Sequence, residues 1–244
     1  MAVFYIFRKG LVPDAAATLR KKVRAKSPSG RLPAGARRRS SRAHFRSAVF
    51  MLFPFVEEFF RNPSAVGSLV PSSRELTDKV MAPIDFATAR CIVEYGPGTG
   101  VFTDLIIRRR GAGTVVVLVE VNERFCALLK ERYAGQPNVH VVLGSADETV
   151  QHLQAVNAPP ADYVVCGLPF TSLPLRQGWR ILEHTRQVLW PDGKLILFQY
   201  SLQNTKLFER FFQLLNQTHV LLNLPPAYVL TYAPKSEAPM PDEG

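Results

Sequence analysis

Cysteine is scarce: Cys91, Cys126 and Cys166 are the only three in 244 residues. So few, so widely spaced, make neither a disulfide framework nor a thiolate zinc site, and no metal is expected. Such sparse cysteine points to a chain in a reducing cytoplasm. Long apolar runs are missing too. The longest, Ala48 to Val56, has nine residues and contains Pro54. A bilayer span takes about 20 apolar residues, which excludes an integral membrane protein. Met1 to Phe7 is apolar but lacks a preceding basic region, so it does not read as a secretory signal. Acids are almost absent from one end. Residues 1–48 hold thirteen Lys or Arg against the single acid Asp14, a net +12, while the remainder nets −2 to give the overall +10.

What is present is a core. Hydrophobic residues make up 47% of the chain, too many for a wholly disordered one. The basic stretch, with Arg20-Lys21-Lys22 and Arg37-Arg38-Arg39, has little apolar periodicity. We read 1–44 as a disordered extension suited to anionic lipid or to RNA phosphates. Residues 45–82 read as helices and a covering loop, 83–232 as the main domain and 233–244 as a loose tail. Phe45 to Arg61 is helical in pattern and ends at Asn62-Pro63; Arg74 to Met81 is a short second helix. From residue 91 strands and helices alternate. Strands are expected at 91–95, 114–119, 139–143, 163–166 and 194–200, with helices at 101–110, 123–134, 147–156 and 176–189. Such alternation predicts an α/β doubly wound parallel sheet. A helix at 205–216 precedes two strands, His219 to Asn223 and Ala227 to Tyr232, whose short link makes them antiparallel.

The first strand runs into Glu94-Tyr95-Gly96-Pro97-Gly98-Thr99-Gly100. Gly96 allows a tight turn, and Gly98 allows a ligand to approach the backbone where the next helix offers free N–H groups. The third glycine comes one position earlier than in G-x-G-x-x-G. Acids then stand at successive strand ends. Glu120 follows Gly100 by 20 residues, where a carboxylate accepts ribose hydroxyls. Asp147 sits in Gly144-Ser145-Ala146-Asp147, and Glu94 lies beneath the glycine loop. Each acid alone is an ordinary solvated loop residue or helix cap; three in register mark the ligand crevice of a doubly wound sheet.

In these features the chain resembles class I S-adenosylmethionine-dependent methyltransferases over about residues 59–232. The resemblance implies a Rossmann-like seven-stranded sheet, mostly parallel with an antiparallel last strand. It implies S-adenosyl-L-methionine as cofactor, held by Glu94, Gly96, Gly98, Gly100, Glu120, Ala146, Asp147 and Cys166. The fourth strand leads into Cys166-Gly167-Leu168-Pro169-Phe170. Ribosomal RNA adenine dimethylases carry N-[LP]-P-[YF] at this place, with the Asn and a proline carbonyl bonding the target amine. Gly167 stands at the Asn position here, so the base-reading side chain is missing.

Three short segments are similar to bacterial phospholipid N-methyltransferases, which methylate phosphatidylethanolamine: 67–73, Gly167 to Pro174, and Asn223 to Ala227. That resemblance implies a catalytic segment of Gly167, Leu168, Pro169 and Phe170. Backbone carbonyls there would align the amine, with Phe170 as the first aromatic wall. Tyr228, Tyr200 and Trp179 are weaker substrate candidates. An in-line transfer needs the neutral amine at about 3–3.5 Å, so a protonated lipid amine must first lose a proton. Cys166 is no nucleophile in such a reaction. The aromatic-rich helix Phe45 to Phe60 beside a basic extension reads as a pair of signals for an anionic membrane surface. The expectation is thus a cytoplasmic enzyme, peripheral to the membrane. A nucleic-acid methyltransferase and a non-catalytic binding protein of the same fold stay open as alternatives.

Overall fold

The computed structural model describes residues 74–223 and 225–236. The basic extension, the 45–61 helix, segment 67–73 and the last eight residues lie outside the described residues. Within them, α1 (Arg74–Met81) leads into β1 (Cys91–Tyr95), α2 (Val101–Arg109), β2 (Val115–Glu120), α3 (Glu123–Arg132) and β3 (Val139–Leu143). A single turn (Ala146–Glu148) leads into α4 (Thr149–Ala155), followed by β4 (Ala161–Cys166), α5 (Leu175–Val188) and β5 (Leu189–Gln199). The chain ends with α6 (Thr205–Phe211), β6 (Phe212–Val220) and β7 (Ala227–Pro234). Among the described residues no helix is long and apolar enough to cross a membrane.

The strands form one seven-stranded sheet in the order β3-β2-β1-β4-β5-β7-β6. β1 to β5 pair in parallel, and β7 runs antiparallel to both its neighbours, as the alternation of elements and the short final link require. The central strands are mostly apolar because helices cover both faces, with Glu94, Glu120 and Asp162 as their charged residues. β1 is buried at every position. Strand alternation divides its residues between two cores. Cys91, Val93 and Tyr95 join Phe170, Ile181, Leu182 and Phe208 on one face. Ile92 joins Leu76, Val80, Ile106 and Leu129 on the other. Glu94 shares the parity of Ile92, and Glu120 that of Val116 and Leu118, so both carboxylates lie on this second face, under α2.

β4 starts two residues earlier than expected, at Ala161, and β7 runs on to Pro234, so 233–234 belong to the sheet and not to the expected tail; two boundaries differ by more. The 205–216 helix stops at Phe211, and β6 begins at Phe212 rather than His219. β6 is an edge strand, exposed along most of its length, so its apolar residues do not alternate. Leu214-Leu215 therefore mimics the continuation of a helix. β5 starts at Leu189, five residues early, because Trp190-Pro191-Asp192-Gly193 bulges between the paired residues Leu189 and Lys194 instead of ending the element.

At the amino edge, Asp162 ties β4 to β1. Its Oδ2 accepts the backbone N–H groups of Arg90 (2.7 Å) and Cys91 (2.9 Å), and Oδ1 accepts the Arg90 guanidinium at 2.6 Å. Partial burial raises its pKa, but the Arg90 guanidinium and the two N–H groups outweigh that and hold it below the usual range. Asp162→Ala leaves two strand-end N–H groups unpaired, at about 1–3 kcal/mol. The expected melting temperature falls by about 3–10 °C with cofactor affinity unchanged, since the site is at the opposite edge. The wild-type advantage should shrink as pH drops through the lowered pKa of Asp162. Thermal melts and cofactor titration of this variant check both; a loss of cofactor binding without a change in melting would contradict the assignment.

Candidate active site

The order of strands reverses between β1 and β4, which splits the loops at their carboxyl ends and opens a crevice there. One wall is the glycine loop. Gly96, Gly98 and Gly100 have φ of +65°, +57° and +87°, a region closed to most side chains. The loop is held from two sides. The Gly96 N–H donates to the Val119 carbonyl at 3.0 Å, and the Gly98 N–H donates to Glu120 Oε2 at 3.0 Å. From α3, the Arg132 guanidinium donates to the Thr99 carbonyl (2.8 Å), and the Tyr133 hydroxyl lies 2.9 Å from where a Cβ would stand on Gly100. A Cβ on Gly98 would meet nothing within 4 Å, so its outer side is open to a ligand.

Glu120 is buried at the end of β2. Its second oxygen accepts the Asn122 N–H at 2.9 Å. Each carboxylate oxygen has two acceptor positions, which leaves one on each for hydroxyl groups. Glu94 is also buried, and the Thr103 hydroxyl of α2 donates to it at 2.7 Å. Burial pushes its pKa up to about 8; Thr103 opposes the rise, and the charges of Glu120 and Asp104 add to it. Two buried acids on one sheet face are suited to a cationic ligand, which lowers the cost of ionising Glu94.

Ala146 and Asp147 sit beyond β3, both buried. The Asp147 carboxylate accepts from the Ser145 hydroxyl and the Arg180 guanidinium of α5, and a His184 ring nitrogen lies 2.6 Å from its backbone carbonyl. Burial raises the Asp147 pKa, but Ser145 and Arg180 outweigh it and the net shift is downward. Arg180 is the partner that sequence reasoning misses, being 33 residues away on another helix. The Cys166 thiol is buried and raised to about 12, hence neutral.

The second wall follows β4. The Gly167 N–H donates to the Tyr95 carbonyl at 3.1 Å. A Cβ on Gly167 would lie 3.0 Å from Phe198 Cε1 and 3.6 Å from the Gly96 carbonyl, and a Cβ on Gly96 would lie 3.0 Å from Leu168 Cδ2. The two loops therefore meet at Gly96, Gly167 and Leu168. The Leu168 carbonyl accepts both the Phe170 N–H (3.0 Å) and the buried Gln199 amide (2.9 Å), and the Pro169 carbonyl accepts the Ser172 N–H (2.9 Å).

Of the aromatic candidates, Phe170 is turned into the first core, edge-on to Phe208 at 5.0 Å. Trp179 packs edge-on to Phe211 at 4.6 Å under Arg210, and Tyr228 stacks on His219 at 4.4 Å. Tyr200 stands at the end of β5, edge-on to Phe198 at 6.3 Å, with its hydroxyl pKa raised by burial and lowered in part by Asn223. Phe198 also meets Phe102 of α2 at 5.1 Å. The row beside Gly167 is therefore Phe102, Phe198 and Tyr200. The parity of β5 signals Phe198 and Tyr200 as neighbours, but no local motif marks Phe198. Among the described residues no group of His, Cys, Asp and Glu is placed to hold a metal ion.

Residues 92–193 match the family described as Methyltransferase domain. An ornithine lipid N-methyltransferase of Singulisphaera acidiphila is 34% identical over 72% of this chain and 92% of its own length. A ribosomal RNA small subunit methyltransferase A of Dehalococcoides mccartyi is 31% identical over 43% of this chain and 35% of its own length. Among solved structures, TrmN from Thermus thermophilus superposes with a TM-score of 0.54 at 17% identity, covering 73% of this chain and 53% of that one. That likeness shows the fold alone.

Glu94 sets a pH signature. Between pH 4.5 and about 8 the folded state keeps a proton that the unfolded state has lost, so stability declines as pH rises through that window. Glu94→Gln removes the dependence. The variant's gain in melting temperature over wild type should grow by roughly 5–10 °C from pH 5 to pH 8. Parallel melting curves of the two proteins across this range would show Glu94 ionised already and the reading wrong.

Proposed function

The chain belongs to the class I S-adenosylmethionine-dependent methyltransferases, and from that premise we propose that it N-methylates the primary amine of a membrane lipid. Phosphatidylethanolamine is the acceptor we assign. The observation that carries this reading is the packing at Gly167: the Phe198 ring fills the space a side-chain acceptor would need. An adenine amino group is a weak nucleophile, because its lone pair is delocalised into the ring, and it gains from such an acceptor. A lipid amine is strongly nucleophilic once it has lost its proton. The relative named as an ornithine lipid N-methyltransferase supports a lipid acceptor.

The residues present fit the cofactor: an open approach at Gly98, free acceptor positions on Glu120 and a buried Glu94 suited to a cation. Bound S-adenosylmethionine supplies a methyl group already activated on a sulfonium. We assign the ribose hydroxyls to Glu120, the ammonium to the neighbourhood of Glu94 and the adenine to the Ala146-Asp147 turn. On the acceptor side, the Leu168 carbonyl is filled and the Pro169 carbonyl is engaged, so the Gly167 carbonyl is the group we assign to hold an amine N–H. The amine gives its proton to water on entering this apolar corner, since desolvation favours the neutral form. Its lone pair would then be free to take the methyl group that the bound cofactor would supply, with the thioether as leaving group. Tyr200, backed by the buried Phe198, rather than Phe170 presents aromatic surface to the methylated ammonium that results.

The adenine reading draws on the ribosomal RNA methyltransferase relatives, and one experiment separates the two. Purified protein is given labelled cofactor with vesicles containing phosphatidylethanolamine and, separately, ribosomal RNA. Label is expected in the lipid. Glu120→Ala should raise the KM for cofactor by on the order of 100-fold, from the loss of charged hydrogen bonds. Label confined to RNA would overturn the lipid reading.

A further inference from the structure

The loops that leave the carboxyl edge of the sheet share a composition that catalysis does not demand. They are 96–100, 121–122, 144–145, 167–174, 200–204 and 221–226. None of these stretches contains Asp, Glu, Lys, Arg or His, and the acids at this edge, Glu123 and the turn residues Asp147 and Glu148, stand on its β2–β3 side, away from 167–174, 200–204 and 221–226. The opposite edge carries Asp85, Arg90, Arg110, Asp192 and Lys194. Around this edge stand the most exposed large apolar side chains of the described residues. Leu222 is 81% exposed, Leu175 69%, Leu221 64% and Val121 64%. β7 pairs antiparallel with β5, Tyr228 opposite Gln199, so the β6–β7 turn bearing Leu221 and Leu222 lies at the same edge as Gly167 and Tyr200. Asn223 of that turn bonds the Pro225 carbonyl at 2.7 Å and reaches Tyr200, which anchors the leucine pair to the acceptor corner.

A second row lies just behind this part of the rim. Arg176 in the first turn of α5 and Lys206 in the first turn of α6 are exposed, and Arg180, one turn further on, is paired with Asp147. Neither first turn holds an acid. Apolar tips in front of a basic row match the layers of an anionic bilayer, acyl boundary inside and phosphates outside. The lack of charge fits as well, because any ionised group on the inserted loops would be costly to desolvate.

We propose that the carboxyl-edge rim, led by Leu175, Leu221 and Leu222, docks on an anionic bilayer and sets the mouth of the site against the headgroup layer. The inference rests on the lipid reading above and adds which face binds. It makes the substrate's route short: the amine reaches the crevice without leaving the surface.

Flotation and turnover of the full-length protein test it. The vesicles contain phosphatidylglycerol and phosphatidylethanolamine. Turnover is also measured on a short-chain phosphatidylethanolamine below its micelle concentration. The variant Leu221→Asp/Leu222→Asp should lower vesicle affinity and bilayer turnover about tenfold, as two inserted leucines are replaced by carboxylates facing phosphates. Monomeric-substrate turnover should stay within about twofold of wild type. Leu215→Asp, on exposed mid-β6, should behave as wild type throughout. Unchanged flotation of the rim variant would overturn the proposal, the more directly if binding is instead lost in Arg37→Glu/Arg38→Glu/Arg39→Glu. Equal loss on monomeric substrate, or a change of oligomeric state alone, would also overturn it, making the rim part of the site's framework or a contact between copies. Rim-dependent flotation with neither form of lipid methylated would uphold the docking face and sink the lipid acceptor.

Discussion

The carboxylate of Glu120 bridges the Gly98 and Asn122 N–H groups, and the geometry of the crevice depends on that bridge. Three residues of positive φ in a five-residue loop form a shape that a free chain rarely visits, and glycine pays for it in chain entropy. Something outside the loop must hold it. Val119, Glu120 and the α3 side chains Arg132 and Tyr133 do so from the neighbouring strand and helix. A strut made from a carboxylate has a second use. It keeps acceptor positions free at the spot the loop leaves open, so the group that shapes the pocket is also suited to reading its occupant.

The same arrangement carries an electrostatic cost. Strand parity puts Glu94 on the face that Glu120 occupies, under α2. Thr103 gives Glu94 one hydrogen bond, which does not offset its burial. The acid is held protonated well above its usual range until something positive arrives. Under the proposed assignment, a cofactor carrying both a sulfonium and an ammonium would relieve this tension in a way that a neutral ligand would not. This is a physical reason for the acid to tolerate so unfavourable a position.

The strands β1, β2 and β4 were legible because both their faces are covered, which makes them mostly apolar runs bounded by turns, and the half-exposed β3 was legible from its valines. The glycine motif and the acids at strand ends were legible for the same reason: register at one sheet edge is a property of order along the chain. β6 was not, because an edge strand needs no apolar alternation and Leu214-Leu215 fits a helix as well. The acceptor corner was half legible. Gly167 could be read from its neighbours in sequence, but Phe198 and Gln199 arrive from β5, and only pairing brings them there. Phe170 illustrates the converse. Its place beside Gly167 suggested a wall, yet its ring lies over Gly178 of α5 against Phe208, where burying an aromatic surface gains more than facing the crevice.

Loss of the side chain at 167 and loss of charge around the rim follow one logic under the proposed function. A base-reading site needs polar groups aimed inward and cations at its mouth to hold phosphates along a strand. Here the inward group is replaced by the edge of an aromatic ring. The mouth is apolar at its tips, with basic side chains only in the row behind. Each change alone is compatible with a merely altered nucleic-acid enzyme. In combination they oppose one. A polyanion would meet leucines before it met arginines, and its base would find no side-chain acceptor. A lipid amine meets the layers in the order its own membrane presents them. It needs only a carbonyl, a dry corner and an aromatic face that tolerates positive charge.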